Sequence, residues 1–465
     1  MEDTRFDAEF CQKTVLGFCR FPEGSLSALA KDLSLSMNQT GLLHCQKYFR
    51  GKEMRDPTVG ELKFLAALAA RMSELPAAIT LDTLHFADGA DARVFADVIR
   101  QREVLGKTDA PSLADMLHTV TAYLARSGRR ATKKAAPLHV GEAAYIAARA
   151  AAPQKALQVG NACAARLPHL KSSTRKAGDL LLALSPAEGQ SLANTVENLF
   201  AQAGHLSTAP LALIGREGLG VHLATLPMGV ELDLMPVADF DASYGAPALL
   251  DACKGTLLLS CPQEVAMEML RENAQLTLIG RLTADELISV RYGIQPLLAL
   301  NRKFLATFRA TKRATVTVPA RTKKPFTDEI AFSEDASFVL CGAVLDGSPE
   351  EALCHLLTAA YGHGADMLYA TLGTVLSLPL AADERALANA ISLMLPLHRF
   401  EAELALPTES LRIITAPVDA APSLTVFLTA PKGCTHENTE MLKSSLYKGD
   451  FATARSLIYP HKAEK

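Results

Sequence analysis

Through the first 130 residues, apolar side chains recur at helical spacing. Phe64, Leu65, Leu68 and Met72 fall on one face of a predicted helix. Its start is written in Asp56-Pro57-Thr58: Asp56 is a capping residue, Pro57 suits the first helical position, and Glu61 sits in the first turn. The pattern predicts one amphipathic helix over Phe6 to Ala30 and another over Ser34 to Phe49, with a turn around Pro22-Glu23-Gly24. Arg93 to Leu105 and Ser112 to Arg126 add two more, the latter with Ser112 as its cap. Residues 1–135 thus read as a helical front section.

From there the periodicity changes. Leu180-Leu181-Leu182-Ala183-Leu184 and Thr256-Leu257-Leu258-Leu259-Ser260 are continuous apolar runs of strand length, Leu276 to Thr283 is a strand interrupted by Gly280, and Glu264 to Asn273 is helical. Residues 136–311 form a mixed domain on this reading. The basic, proline-containing stretch Lys312 to Pro325 separates it from a second mixed domain, 326–465, with strands at Phe338-Val339-Leu340, Leu411 to Ile414 and Leu424 to Leu428 and a polar helical tail from Thr439 to Tyr459. The predicted class is α/β (α+β). Arg126 to Lys134 marks the first boundary; it reads as a solvated linker or as a phosphate-binding patch, and the lack of interleaved aromatic residues favours the linker.

Composition narrows the functions. A formal charge of −3 over 465 residues argues against general nucleic-acid binding, which needs a concentrated basic surface. Apolar runs such as Leu257-Leu258-Leu259 are too short to span a bilayer, and the acidic start Met1-Glu2-Asp3-Thr4-Arg5 shows no signal peptide. Nine cysteines without Cys-x-x-Cys spacing predict buried thiols in a reduced, cytoplasmic protein.

The stretch Arg55-Asp56-Pro57-Thr58-x-x-Glu61-Leu62-x-x-Leu65 resembles the linker signature of the phosphoribosylformylglycinamidine (FGAM) synthase family in its long single-chain form. Arg102-Glu103-Val104-Leu105-Gly106, Gly178-Asp179-Leu180, Gly229-Val230-Glu231-Leu232-Asp233-Leu234, Thr277 to Thr283 and Asn301-Arg302-Lys303 follow in that family's order. The resemblance covers most of residues 40–310 and implies that 136–311 is a shortened aminoimidazole ribonucleotide (AIR) synthase-like domain; 326–465, which matches only vaguely, reads as a second, eroded α/β domain with a helical tail.

It also implies a chemistry, phosphoryl transfer from ATP onto an amide oxygen, for which magnesium ions on carboxylates neutralise the triphosphate. Here the sequence departs from the family. Where the family runs into Trp-Ser-x-His-Cys-x-His, this chain has Ala69-Ala70-Arg71-Met72-Ser73-Glu74-Leu75, and it contains no tryptophan. The family's His-Asn-His-Pro loop has no counterpart. Its Asp-Phe-Gly-Ala-Gly-Gly turn corresponds to Leu213-Ile214-Gly215-Arg216-Glu217-Gly218, its Gly-Glu-Leu-Ala to Ala224-Thr225-Leu226-Pro227, and its Ser-Gln-Glu-Arg-Met to Ala252-Cys253-Lys254-Gly255-Thr256. Carboxylates are lost at each of these three places. Gly215, Gly218 and Gly220 keep spacing compatible with a phosphate-cradling turn, although glycines at such spacing also serve plain tight turns.

Other candidates are local. Cys354, His355 and His363 could contribute to a transition-metal site, but no fourth ligand is near in sequence, and a helix over Pro349 to Tyr361 with Cys354 inward is the plainer reading. Cys434, His436 and Glu437 sit in a polar turn, and Asp82, His85 and Asp88 in a loop. The expectation is a catalytically silent synthase relative that acts as a binding or scaffolding protein, as a homodimer or with an active FGAM synthase, with ATP and magnesium binding lost. The alternative is a reduced ATP-dependent ligase using free ammonia. No catalytic residue and no metal ligand is assigned.

Overall fold

The computed structural model describes residues 8–75, 79–129, 138–141, 156–160, 162–166, 175–186, 188–189, 192, 195, 199, 211–308, 312–321, 325–326, 329–334, 337–345, 348–406, 408–416, 419–434 and 437–460. The fold is mixed α/β, as the pattern predicts. The chain divides into two compact units, each assembled from two stretches: Met1–Ala78 with Lys171–Thr311, and Ile79–Leu170 with Lys312–Lys465. The blocks read from sequence run consecutively, whereas these units interleave.

The first unit is built on a seven-stranded sheet in the order Gln295–Asn301, Leu287–Tyr292, Gly229–Asp233, Leu276–Thr283, Leu180–Leu184, Leu257–Cys261, Leu211–Leu213. Neighbours are antiparallel except Leu287–Tyr292 beside Gly229–Asp233, which is parallel. The apolar stripe of the helix Val59–Ser73 is fully buried: Phe64, Leu65 and Leu68 are inaccessible and Met72 nearly so, in one core with Leu219, Leu232 and Leu250. Its cap is Thr58 rather than Asp56. Thr58 accepts from the Glu61 amide at 3.1 Å while the Glu61 carboxylate accepts from the Thr58 amide at 2.9 Å, a reciprocal capping box. Asp56 lies outside the helix, and its carboxylate accepts from the amides of Gly17 and Cys19 at 2.8 and 2.9 Å.

That engagement breaks the single helix predicted over Phe6 to Ala30. Ala8–Gln12 is followed by a bridge from Thr14 to Thr58, by a left-handed Gly17 (φ 81°) and a short 3-10 turn Phe18–Arg20, and Glu23–Asp32 restarts after Pro22. The second predicted helix is shorter than expected, Gln39–Tyr48, capped by Asn38.

The second unit is layered about a five-stranded sheet, ordered Ala331–Glu334, Phe338–Val344, Ser423–Pro431, Thr371–Pro379, Thr408–Ala416. Alternate residues serve opposite faces. Val339, Cys341 and Ala343 join a core with the helices Pro349–Gly362 and Glu384–Leu404, while Phe338 and Leu340 pack with Leu138, Val140 and Leu157 of a small three-stranded sheet. Burial on both faces explains why Thr371–Pro379 is buried at every position.

The same unit revises three sequence expectations. Lys312–Val318 is a strand, parallel to Ile79–Phe86, rather than a separating linker; its alternation puts Val316 and Val318 inside. Asp82 and His85 stand on Ile79–Phe86 rather than in a loop. The helical tail is two helices, Thr439–Lys448 and Phe451–Ile458, separated by Gly449 at φ 70° and restarted by the Asp450 cap. Among the described residues, no helix is long and apolar enough to cross a membrane.

Candidate functional site

The glycine turn lies in the first unit, between the edge strand Leu211–Leu213 and the helix Gly218–Thr225. Backbone bonds lace it to the segment behind it: the Ile214 amide donates to the Thr256 carbonyl at 2.9 Å, and the Gly255 amide to the Ile214 carbonyl at 2.8 Å. Gly218 adopts φ 80°, and a Cβ there would stand 1.8 Å from the Leu250 carbonyl oxygen, so only glycine fits. At Gly220 a Cβ would meet Leu250 Cδ2 at 2.9 Å and Phe64 Cε2 at 3.0 Å, which lets the helix press against Val59–Ser73. These two glycines serve close packing.

A phosphate cradle needs amides free to donate. Here the Gly218 amide donates to the Gly215 carbonyl at 3.2 Å and the Leu219 amide to the Ala252 carbonyl at 3.2 Å. The space above Gly215 holds an anion already, because a Cβ at Gly215 would meet the Glu217 carboxylate oxygens at 2.6 and 2.9 Å. Glu217 is the N-cap residue of Gly218–Thr225, where a negative charge is favoured by the helix dipole. Arg71, in the last turn of the helix Val59–Ser73, donates to the Arg216 carbonyl at 3.1 Å and pairs with Asp251 at 3.5 Å. Cys253 beside the turn is fully buried, and burial pushes its thiol up to about 12, so no thiolate is available there at neutral pH.

Below the turn, the helix lowers His222 into a small cavity of about 20 Å³, room for roughly one water. Arg175, Ser260 and leucines of the sheet complete the lining. Burial, with the Arg175 guanidinium adding to it, pushes the His222 imidazole down to about 4. The Ser260 hydroxyl is buried there without a hydrogen-bond partner. Sequence reading missed this cluster. Its one signal was a histidine on an otherwise apolar helix, which by itself says nothing about a cavity.

The structure keeps the remaining candidates apart. Cys354 is buried in Pro349–Gly362 and burial pushes its thiol up to about 12, while His355 packs against the Phe326 and Tyr447 rings and His363 against Phe332. Asp88 caps the helix Gly89–Val104 by accepting from the Ala90 amide at 2.7 Å, and Asp82 faces Arg313 at 3.7 Å. Cys434 is half-buried, and His436 lies outside the described residues. Among the described residues, no group of three His, Cys, Asp or Glu side chains could hold a metal ion.

No protein-family model matches the chain, and no curated protein matches it. Among the solved structures similar to it are synthases of the family that the Arg55 motif resembles. Thermotoga maritima PurL complexed with ATP is 11% identical with a TM-score of 0.42, over 62% of this chain and 63% of that one. Phosphoribosylformylglycinamidine synthase II of the same organism is 11% identical with a TM-score of 0.41, over 64% of each chain. PurL complexed with AMPPCP is 10% identical with a TM-score of 0.43, over 85% of this chain and 76% of that one. The chain spans less than two thirds of the first two, and at these identities and scores nothing about its ligands or chemistry follows from them.

Proposed function

We propose that this chain is an FGAM synthase-like protein that acts by binding or scaffolding and does not carry out phosphoryl transfer. On this reading it works in the cytoplasm, as a homodimer or in association with an active FGAM synthase. The observation that carries the reading is the Glu217 carboxylate lying over Gly215, where a cradled phosphate would have to sit. Two unit charges about 4 Å apart repel by about 4 kcal/mol at an effective dielectric of about 20. A backbone N–H bond contributes a net of only about 1 kcal/mol, and the amides of Gly218 and Leu219 are already engaged. With Glu217 in this rotamer, repulsion outweighs what the turn offers a triphosphate.

Calorimetric titration with Mg-ATP, and separately with a non-hydrolysable analogue, tests this. The expected result is no saturable heat at millimolar nucleotide, together with co-purification of this chain with an active synthase or self-association in sedimentation. Micromolar nucleotide binding followed by phosphate release with the formylglycinamide nucleotide and ammonia would overturn the silent reading and establish the ligase.

A further inference from the structure

Four large apolar side chains of the first unit stand in solvent. Ile294 is 103% exposed, Met54 85%, Leu16 80% and Met235 62%, the highest values for large apolar side chains among the described residues. Single apolar residues scattered over a surface need no explanation. These four come as two pairs, each held in place by a buried or half-buried carboxylate.

Asp233 sets the first pair. Its Oδ1 accepts from the Met235 amide at 3.1 Å and from the Gly293 amide at 2.9 Å. Tyr292 pairs with Gln295, so Gly293-Ile294 is a two-residue hairpin loop, with Gly293 at φ 58°. A Cβ at Gly293 would stand 3.2 Å from Met235 Sδ, so the methionine lies against the tip that carries Ile294. Asp239 and Asp241 are exposed on the loop that follows Met235, and neither has an ionic partner among the described residues.

Asp56 sets the second pair. Beyond its bonds to the Gly17 and Cys19 amides, the Val15 amide donates to the Pro57 carbonyl at 2.9 Å and Cys19 Sγ to the Arg55 carbonyl at 3.3 Å. Leu16 and Met54 are thus carried on two loops bound side by side. Met54 closes the π-helical turn Phe49–Glu53 at φ 54°, a conformation that non-glycine residues rarely adopt. Arg20, Arg50 and Lys52 are exposed here without an ionic partner among the described residues. The charges of Arg20 and Arg50 both reach the Cys19 thiol between the loops.

A strip of surface joins the pairs. The loop from Met235 runs to Gly245, where a Cβ would meet Cys11 Sγ at 3.1 Å. Two residues past Cys11, the Lys13 carbonyl accepts from the Val59 amide at 2.9 Å, and Leu16 follows. The strip is apolar and acidic at one end, apolar and basic at the other.

We propose that this strip is where the chain pairs with a second copy of itself, the end carrying Ile294 and the two aspartates meeting the end carrying Leu16 and the three basic residues. A two-fold contact sets each end against the other twice, so a surface with one acidic and one basic end is complementary to itself. Opposite charges around the apolar side chains fix the direction of pairing, because like ends repel. An anionic membrane is disfavoured, since Asp239 and Asp241 would approach it with the apolar tip. The proposal rests on the homodimer form of the function proposed above and is indifferent to nucleotide binding.

Sedimentation velocity of the full chain at low and high salt tests it. The expected result is a reversible dimer at micromolar concentration that weakens as salt rises. Ile294→Asp should weaken it at least tenfold. Arg50→Glu with Lys52→Glu should give a monomer, as should Asp239→Lys with Asp241→Asn. An equimolar mixture of these two charge variants should form a heterodimer, because each end again faces its opposite. All the altered positions are exposed, and thermal unfolding checks that each variant is folded; if a charge variant fails to fold, Ile294→Asp and the salt response decide the matter. A monomer at every concentration, a dimer indifferent to Ile294→Asp, or folded charge variants that do not pair would overturn the proposal. A monomer that co-purifies with an active synthase also overturns it, while leaving the proposed function standing.

Discussion

Arg55 holds Glu61 with both terminal guanidinium nitrogens, Nη1 to Oε2 at 2.8 Å and Nη2 to Oε1 at 2.6 Å, while the same carboxylate closes the capping box on Thr58. Nη2 also donates to the Ala299 carbonyl at 3.1 Å. The motif that most strongly suggests a family is thus a clasp. It joins the first-unit helix Val59–Ser73 to the strand Gln295–Asn301 and, through Asp56, to the Gly17–Cys19 turn. Nothing in that geometry requires a substrate.

Glu61→Gln should therefore destabilise the protein by about 1.5–3 kcal/mol through loss of the charge-assisted pair with Arg55, since the glutamine oxygen can still accept from the Thr58 amide. Thr58→Ala, which removes only the cap, should cost about 1 kcal/mol. Urea unfolding with a double-mutant cycle through Arg55→Met checks it. Additive effects of Arg55→Met and Glu61→Gln would mean that the pair contributes nothing as a pair.

Gly218→Ala should cost more than 2 kcal/mol, because a positive φ and a clash with a carbonyl act together. Gly215→Ala should be milder, since the group it meets is the movable end of Glu217. Comparing the two by thermal and urea unfolding separates packing from ligand binding. Equal, small losses would show that the turn relaxes freely and that glycine is not demanded at 218.

His222 makes stability depend on acidity. Its folded value is depressed to about 4 from an ordinary 6.5, so between those values the unfolded chain binds the proton more readily. The contribution is intact above pH 6.5 and is lost progressively as pH falls towards 4, up to about 3 kcal/mol in all. His222→Leu should flatten that part of the profile. Urea midpoints at pH 7.5 and 4.5 provide the measurement; an unchanged difference between them would remove His222 as the cause.

The sequence made local structure legible wherever one interaction range decided it. Ser112 caps its helix as expected, Leu276–Thr283 is a strand where apolar spacing put it, and Gly229–Asp233 is a strand where the motif resemblance implied one. What stayed hidden depends on partners far along the chain. Asp56 looks like a cap until Gly17 and Cys19 claim its carboxylate, and the Lys312–Val318 strand exists because Ile79–Phe86 lies beside it. The glycine spacing was visible, but the Leu250 carbonyl and Phe64 ring that give two of the glycines their purpose were not. His398 and Glu401 sit three residues apart on one helix, a readable spacing, but nothing in that spacing says that both are buried.

The buried pair between Asp91 and Arg321 gives the last prediction. Asp91 is 1% exposed, and burial raises its carboxyl above the usual range although Arg321 pulls the other way. The two remain a charged pair in which the arginine offsets a large desolvation cost. Arg321→Met leaves that carboxylate alone and should cost about 3–5 kcal/mol at neutral pH. A raised folded value means that stability from Asp91 is fully present below its unfolded value near 3.8 and is lost as pH rises through the folded one. Removing Arg321 raises the folded value further, so the variant's deficit should shrink at pH 4.5, where Asp91 takes up a proton and the buried charge disappears. Asp91→Asn combined with Arg321→Met should recover most of the loss at neutral pH. A deficit equal at pH 4.5 and 7.5, and not recovered by the double change, would mean that Arg321 acts through the packing of its chain and its contact with Glu350 rather than through the Asp91 charge.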